Sequence, residues 1–288
     1  MTLRSAFLLL LLAMLALARP AHAAQGTAGC TGFITSVPTT ISTPGTWCLS
    51  PGLGANSGLT PSITVASDKV TIDCNDYTFT ATQAPSAVYA KDHFDVTVRN
   101  CVLDNFNKAA IDLEATTNTS GGRYVVENNR VTGRIATLIR VDGDGSVVRH
   151  NRINGGSSLG GSTNQTYGIY TTWSVDILDN LVTAMEVPNG DTDVSAYGIY
   201  TLNNASGSIA GNSITNLEPQ LYGHMYGIHN ENSGRITIRD NTVLGNGTAG
   251  GIGILCTGAN SRAVHNVIAG FETGLSFCGD AGDNDVTP

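Results

Sequence analysis

Four charged residues in two short alternating segments are the first candidates for chemistry: Asp112 with Glu114, and Arg140 with Asp142. In an extended chain, residues two apart share one face, so each pair projects to the same side. Carboxylates held about one strand spacing apart, roughly 5 Å, need a shared proton, a cation or a neighbouring arginine. Such a group could hold Ca²⁺, or set a general acid beside a base or nucleophile for glycoside cleavage. Arg140 would then be the base or charge neutraliser, and Asp112, Glu114 and Asp142 the cation ligands or the acid/base pair. Tyr170 and Tyr200 could offer a stacking surface to sugar rings, His229 with Glu231 makes a second pair, and Asp191-Thr192-Asp193 could reach in from a loop. A plainer reading stands beside each: tyrosine rows as packing between neighbouring coils, the charges as a surface ladder, and Asp191 and Asp193 as a solvated turn.

These residues meet only if the chain brings distant segments together, and an internal repeat does so. Asparagines at 75, 100, 129, 151, 180, 212, 241 and 266 each sit between two short β-branched strands, at spacings of 22 to 32 residues. A second element, seen in Tyr167-Gly168-Ile169-Tyr170, Tyr197-Gly198-Ile199-Tyr200 and Tyr226-Gly227-Ile228-His229, recurs in the same phase. A period of this length without helical periodicity predicts one turn of an all-β solenoid, in which stacked coils form parallel sheets. Asn suits such a turn because it tolerates left-handed backbone and can hydrogen-bond from coil to coil. A β-sandwich would show no fixed Asn phase, and no six-residue period suggests a left-handed hexapeptide helix.

With Ile169 inward, the outward row reads Tyr89, Asp112, Arg140, Tyr170, Tyr200, His229, Leu255, Ser276. The row two residues on reads Lys91, Glu114, Asp142, Thr172, Leu202, Glu231, Thr257, Cys278. Together they are expected to form one exposed sheet face. Three consecutive coils carry longer loops, at 155–166, 185–196 and 216–225, which would wall that face into a groove.

The first residues supply a compartment. Met1 to Arg4 give a positive start, Ala6 to Ala18 an apolar run, and Ala21-His22-Ala23 a small-x-small site, so residues 1–23 read as a signal peptide. The run is shorter than the roughly 20 residues a spanning helix needs, so no membrane association is expected after its removal. Arg4 and Arg19 leave with it, lowering the 15 basic residues to 13 against 23 acidic ones, a net charge of −10. That balance argues against nucleic acid as a partner. It also disfavours broad capture of polyanions unless a local basic site compensates. Six cysteines remain: Cys30, Cys48, Cys74, Cys101, Cys256 and Cys278. An even number in an exported chain suggests disulfides, and six allow 15 connectivities. Pairing sequence neighbours gives Cys30–Cys48, Cys74–Cys101 and Cys256–Cys278. A secreted or periplasmic location follows.

The Asn-turn and Gly-Ile-Tyr coils resemble the right-handed parallel β-helix repeats of the pectate-lyase-like superfamily over about residues 60–280. Residues 24–59 would be an entry cap and 281–288 a polar tail that caps the last coil poorly. The resemblance implies a single-stranded right-handed parallel β-helix of about eight coils. Cys74–Cys101 and Cys256–Cys278, each about one coil apart, would rivet its ends. Ile41 to Leu49, Ile63-Thr64-Val65 and Val70 to Asn75 are similar to the entry coils of exported β-helix proteins of unassigned activity. The enzyme signatures of the superfamily do not occur. Asn-Thr-Asp, Asp-Asp, Gly-His-Gly and Arg-x-Lys are missing, as are Arg-x-Pro-x-x-Arg and Asp-Pro-His, and Gly223-His224-Met225 is the nearest fragment. Two functions stay open: a polysaccharide lyase or glycoside hydrolase, or a β-helix without catalysis that binds a polysaccharide or cell-surface glycan or serves as a rigid spacer. The missing signatures and few basic residues favour the second.

Overall fold

The computed structural model describes residues 29–53, 58–133, 136–156, 165–186, 195–203, 206–217, 224–231, 234–247, 250–258 and 260–287. Every strand pair among them is parallel, and the strands fall into three sheets of 10, 11 and 9 members. Each coil visits the sheets in the same order. The first sheet holds the long Ala109–Glu114, Thr137–Asp142, Gln165–Thr172, Ser195–Leu202, His224–Glu231 and Gly251–Cys256 strands. The second holds the strands before the asparagine turn, such as Val175–Leu178, and the third those after it, such as Leu181–Met185.

Side-chain alternation explains why the sheets close on a core. Ile111, Ile139, Ile169, Ile199, Ile228 and Ile254 lie in register along the first sheet, and each is buried. Val126, Val148, Ile177, Ile209 and Ile238 do the same in the second, and Val131, Ile153, Val182, Ile214 and Val243 in the third. No single coil could bury these residues, so stacking is what makes the core.

The asparagines form one continuous ladder. From Asn129 through Asn151, Asn180, Asn212, Asn241 and Asn266 to Asn284, each side-chain oxygen accepts the backbone N–H and the Nδ2 of the asparagine one rung earlier, at 2.9–3.1 Å. The left-handed residue is not the ladder asparagine but the one before it: Asn128, His150, Asp179, Gly211, Asp240, His265 and Asp283 all have positive φ. The division of labour has a physical reason. A buried side chain that makes four hydrogen bonds is fixed by amide chemistry, whereas the exposed corner asks only for tolerance of left-handed backbone. Asn75 and Asn100 are corner residues of this kind, with φ of 50° and 54°. The ladder ends at Cys101, whose backbone N–H donates to Asn129 Oδ1 at 3.0 Å.

Cys74–Cys101 continues the column where the ladder stops. Cys74–Cys101, Cys256–Cys278 and Cys30–Cys48 are the pairs that sequence neighbours suggest. The first two span 27 and 22 residues, which chain-entropy reasoning makes worth about 3 kcal/mol each. Such bonds persist in oxidising compartments. Among the described residues no helix is long and apolar enough to cross a membrane; the expected signal peptide, residues 1–23, lies outside them.

Both ends extend the solenoid beyond the expected 60–280. Gly32–Ile34, Thr39–Ile41 and Gly45–Leu49, in the segment read as a cap, already pair in register with the coils that follow. At the other end Asp285–Thr287 pairs with Val267–Ala269, and Asn284 closes the ladder. The polar tail is therefore the last strand of a ninth complete rung.

Candidate functional site

The first-sheet register reproduces the outward row from Tyr89 to Ser276, residue for residue. Lys91 sits beside Glu114, and Asp142, Thr172, Leu202 and Glu231 follow one another in the second row. The row is less exposed than expected. Asp112 and Asp142 are 0% and 1% exposed, and Tyr200 and His229 are both 8% exposed. Long neighbours on adjacent rungs, only about 4.8 Å away, cover them.

Asp112, Glu114, Arg140 and Asp142 do come together, and Lys108 joins them. Lys108 Nζ lies 2.7 Å from Asp112 Oδ2 and 3.0 Å from Glu114 Oε1. Arg140 donates to Glu114 at 2.9 Å and to Asp142 at 2.7 Å, and its Nε lies 4.0 Å from Asp112. Burial pushes the Asp112 carboxyl upward against the pull of Lys108, and the Asp142 carboxyl upward against the pull of Arg140. Burial acts the same way on Glu114, but Lys108 and Arg140 outweigh it and hold that carboxyl below its usual range. Burial lowers the affinity of Arg140 for its proton, yet the surrounding carboxylates outweigh it and raise the pKa.

Two of the expected chemistries do not fit this geometry. An arginine held by carboxylates holds its proton more tightly, which favours charge neutralisation over the role of base for Arg140. Lys108 and Arg140 already occupy the positions from which a cation would bridge the carboxylates, so the cluster is not a Ca²⁺ cage; among the described residues no other cluster of His, Cys, Asp or Glu could hold a metal. Asp112 Oδ1 and Asp142 Oδ1 are buried without a hydrogen-bond partner, and a protonated carboxyl is the form that burial favours there.

The aromatic residues form two columns. Tyr170 stacks on Tyr200 with ring centroids 5.5 Å apart, and His229 follows edge-on at 5.2 Å. Beside them Tyr167, Tyr197 and Tyr226 stack at 5.1 and 5.0 Å with nearly parallel rings. Strict alternation from Ile169 would turn Tyr167 inward, but Gly168 and Ile169 both face the core, so the outer face resumes three residues apart. Only glycine fits the first of these positions: at Gly198 a Cβ would lie 2.6 Å from Gly227 O and from Ile214 Cγ2. The repeated Tyr-Gly-Ile-Tyr spacing was the signal for the second column.

Stacking changes what these rings can offer. Their faces are turned to one another along the solenoid axis, and Arg140 lies 5.7 Å from the Tyr170 centroid. What faces outward is a line of ring edges and hydroxyls rather than a flat stacking surface, which favours the packing reading of Tyr170 and Tyr200. His229 and Glu231 do not pair; the Tyr200 hydroxyl donates to Glu231 instead. Both His229 nitrogens lack a partner, and burial holds its pKa below the usual histidine value. The groove wall expected from the three long loops, with Asp191 and Asp193, lies largely at 157–164, 187–194 and 218–223, outside the described residues.

The family model described as "Right handed beta helix region" matches residues 86–287. No curated protein and no solved structure matches the chain. The stacked parallel sheets and the asparagine phase agree with that match, and the chain belongs to the right-handed beta helix family.

Proposed function

We propose that the protein is an exported β-helix domain that binds an extended glycan along its first sheet without cleaving it. One observation carries this reading: the polar outer edge recurs on alternate rungs. Tyr167, Tyr170 and Tyr226 are half-buried with their ring faces engaged, and Glu231 is exposed beside them. Hydroxyls on one rung, and a hydroxyl with a carboxylate two rungs on, lie about 9.6 Å apart with the buried Tyr197 and Tyr200 between them, so they can meet the hydroxyls of an extended sugar chain at two separate units. Three disulfides and the apolar residues 6–18 support export. The absence of turnover rests on Arg140 and Lys108 being bound into their own ion-pair network.

Affinity electrophoresis across a panel of polysaccharides tests binding, and assays for new reducing ends and unsaturated products test turnover. At least one glycan is expected to retard the protein with no product formed. Tyr170→Phe combined with Glu231→Gln keeps the ring stack and is expected to weaken binding about tenfold or more, the loss of one to two hydrogen bonds. Unchanged binding in that variant, or no retardation by any glycan, overturns the reading. A second reading, glycoside hydrolysis, is favoured by the raised Asp112 and Asp142 carboxyls and their unpartnered oxygens. Product formation that Asp142→Asn abolishes in a folded protein would establish it.

A further inference from the structure

A recess of about 430 Å³ opens on the second sheet, on a different face from the tyrosine columns, and is of a size that small molecules occupy. Arg235 and Thr237 reach it from one rung, Asn260 and Arg262 from the next, and Gly279 from a third. Thr237 lies beside Arg262, and Arg262 beside Gly279, in the parallel register. Arg235 is two residues before Thr237 and shares its outward face. One strand spacing across and two residues along put the two arginines roughly 8 Å apart at the backbone. Both side chains line the same recess, within reach of one ligand.

The recess gathers positive charge without a counter-charge. Arg99, Arg123, Arg140, Arg149 and Arg239 each engage a carboxylate. Among the described residues Arg235 and Arg262 engage none, although acidic residues outnumber basic ones by 23 to 15. The acids nearest them in the chain are committed elsewhere. Asp240 is held by Arg239 at 2.7 Å, and Glu231 accepts the Tyr200 hydroxyl. Asp280, next to Gly279, accepts the Gly282 N–H at 2.9 Å and the Asn284 side-chain amide at 2.7 Å. Like charges on neighbouring strands repel, so this arrangement costs stability until an anion sits between them.

The donors narrow the anion. Each guanidinium offers a planar fork of N–H groups suited to a bidentate grip on an oxyanion. The Thr237 hydroxyl adds a donor from the sheet itself. Two positive charges, with donors arriving from two rungs, match a tetrahedral dianion, whose oxygens point in several directions. A planar carboxylate has one charge and two oxygens to offer them. Arg130 and Arg152 are also adjacent and without an acid, but Val102 and Leu181 flank them in register and supply no donors. Space comes from Gly279. A Cβ there would meet Ser261 O at 3.4 Å and Arg262 Cγ at 3.7 Å, ordinary contacts, so the backbone does not require glycine. Its effect is to leave room next to Arg262 for more than a single ion.

We propose that this recess binds a phosphoryl dianion, either as free phosphate or as the head of a small phosphomonoester. It supplies the local basic site that the acidic chain otherwise lacks. The first-sheet reading neither requires it nor is required by it.

Titration calorimetry of the full chain with glycerol phosphate, inorganic phosphate, inorganic sulfate and acetate at one ionic strength provides the test. At least one of the two phosphates is expected to bind about tenfold or more tightly than acetate, with sulfate, a dianion of the same shape, close behind. Tighter binding of glycerol phosphate assigns the site to an ester, and tighter binding of inorganic phosphate assigns it to the free ion. Arg235→Gln with Arg262→Gln is expected to weaken that binding about tenfold or more. Gly279→Leu, which fills the recess and keeps both arginines, should do the same, with thermal unfolding unchanged in each. Arg130→Gln with Arg152→Gln removes the same charge from another face and should leave binding intact, as should Tyr170→Phe with Glu231→Gln. Acetate matching the phosphates, no phosphate binding up to about 10 mM, or an equal loss in the Arg130 and Arg152 variant would each overturn the proposal.

Discussion

Asn180→Ala is expected to destabilise the solenoid by roughly 3–5 kcal/mol in urea denaturation, a large effect for one polar side chain. The Asn180 side chain accepts from the backbone N–H and the Nδ2 of Asn151, each at 3.0 Å, and donates to Val148 O at 2.9 Å and Asn212 Oδ1 at 3.0 Å. It is 2% exposed, so water does not replace what alanine removes. The Asn151 N–H and the Val148 carbonyl would lose these partners inside the core, and each buried unpaired group costs about 1–3 kcal/mol. Asn100→Ala is the control. Asn100 is a corner residue outside the ladder, half-buried, with one side-chain bond to Asp73, and its loss, with left-handed backbone that alanine tolerates less well, should cost about 1–2 kcal/mol. Equal effects at the two positions would remove the ladder from the account of stability.

The second large effect is expected at Arg140. Arg140→Met removes the cation that holds Glu114 and Asp142, leaving three carboxylates with Lys108 alone. Breaking a buried ion pair from one side costs about 3–5 kcal/mol; because Arg140 is 31% exposed, a loss of roughly 2–4 kcal/mol is expected at neutral pH. The pH dependence has a definite sign. The Asp112 and Asp142 carboxyls are raised in the folded state from 3.8. Their contribution is therefore fully present below the unfolded value and lost as pH rises through the folded values. Taking away Arg140 raises both further and moves that loss to higher pH. Glu114, lowered in the parent, has the opposite sign and loses part of its favourable contribution. The gap between variant and parent should thus be wide near pH 7 and narrow toward about pH 4, as urea midpoints at the two pH values would record. A gap independent of pH would mean that the cluster is not electrostatically coupled.

Much of this was legible in the sequence because a solenoid converts spacing along the chain into columns in space. Once the asparagines are in phase, the register of Asp112 with Arg140, of Tyr170 with Tyr200 and of Tyr200 with His229 follows from counting. Counting fails where a local geometry departs from it. Two inward residues in succession at Gly168 and Ile169 hide the Tyr167 column from any period-two argument. Lys108 escapes because it precedes its strand and reaches back along it to Asp112 and Glu114. The burial of Asp112 and Asp142 depends on how far neighbouring side chains lean over them, which spacing does not encode. The left-handed corner was placed one residue late, since Asn serves both roles in other turns and here the roles are split between Asn128 and Asn129.

Hydrogen exchange of individual asparagine side-chain amides, read by nuclear magnetic resonance, bears most directly on the in-phase stacking from which every column here derives. The Nδ2 protons of Asn151, Asn180, Asn212 and Asn241 should exchange only through opening of the coils themselves, far more slowly than those of exposed Asn118. Exchange of all five at the same fast rate would mean that no such ladder exists, and the tyrosine columns and the ion-pair cluster would lose the register that assembles them.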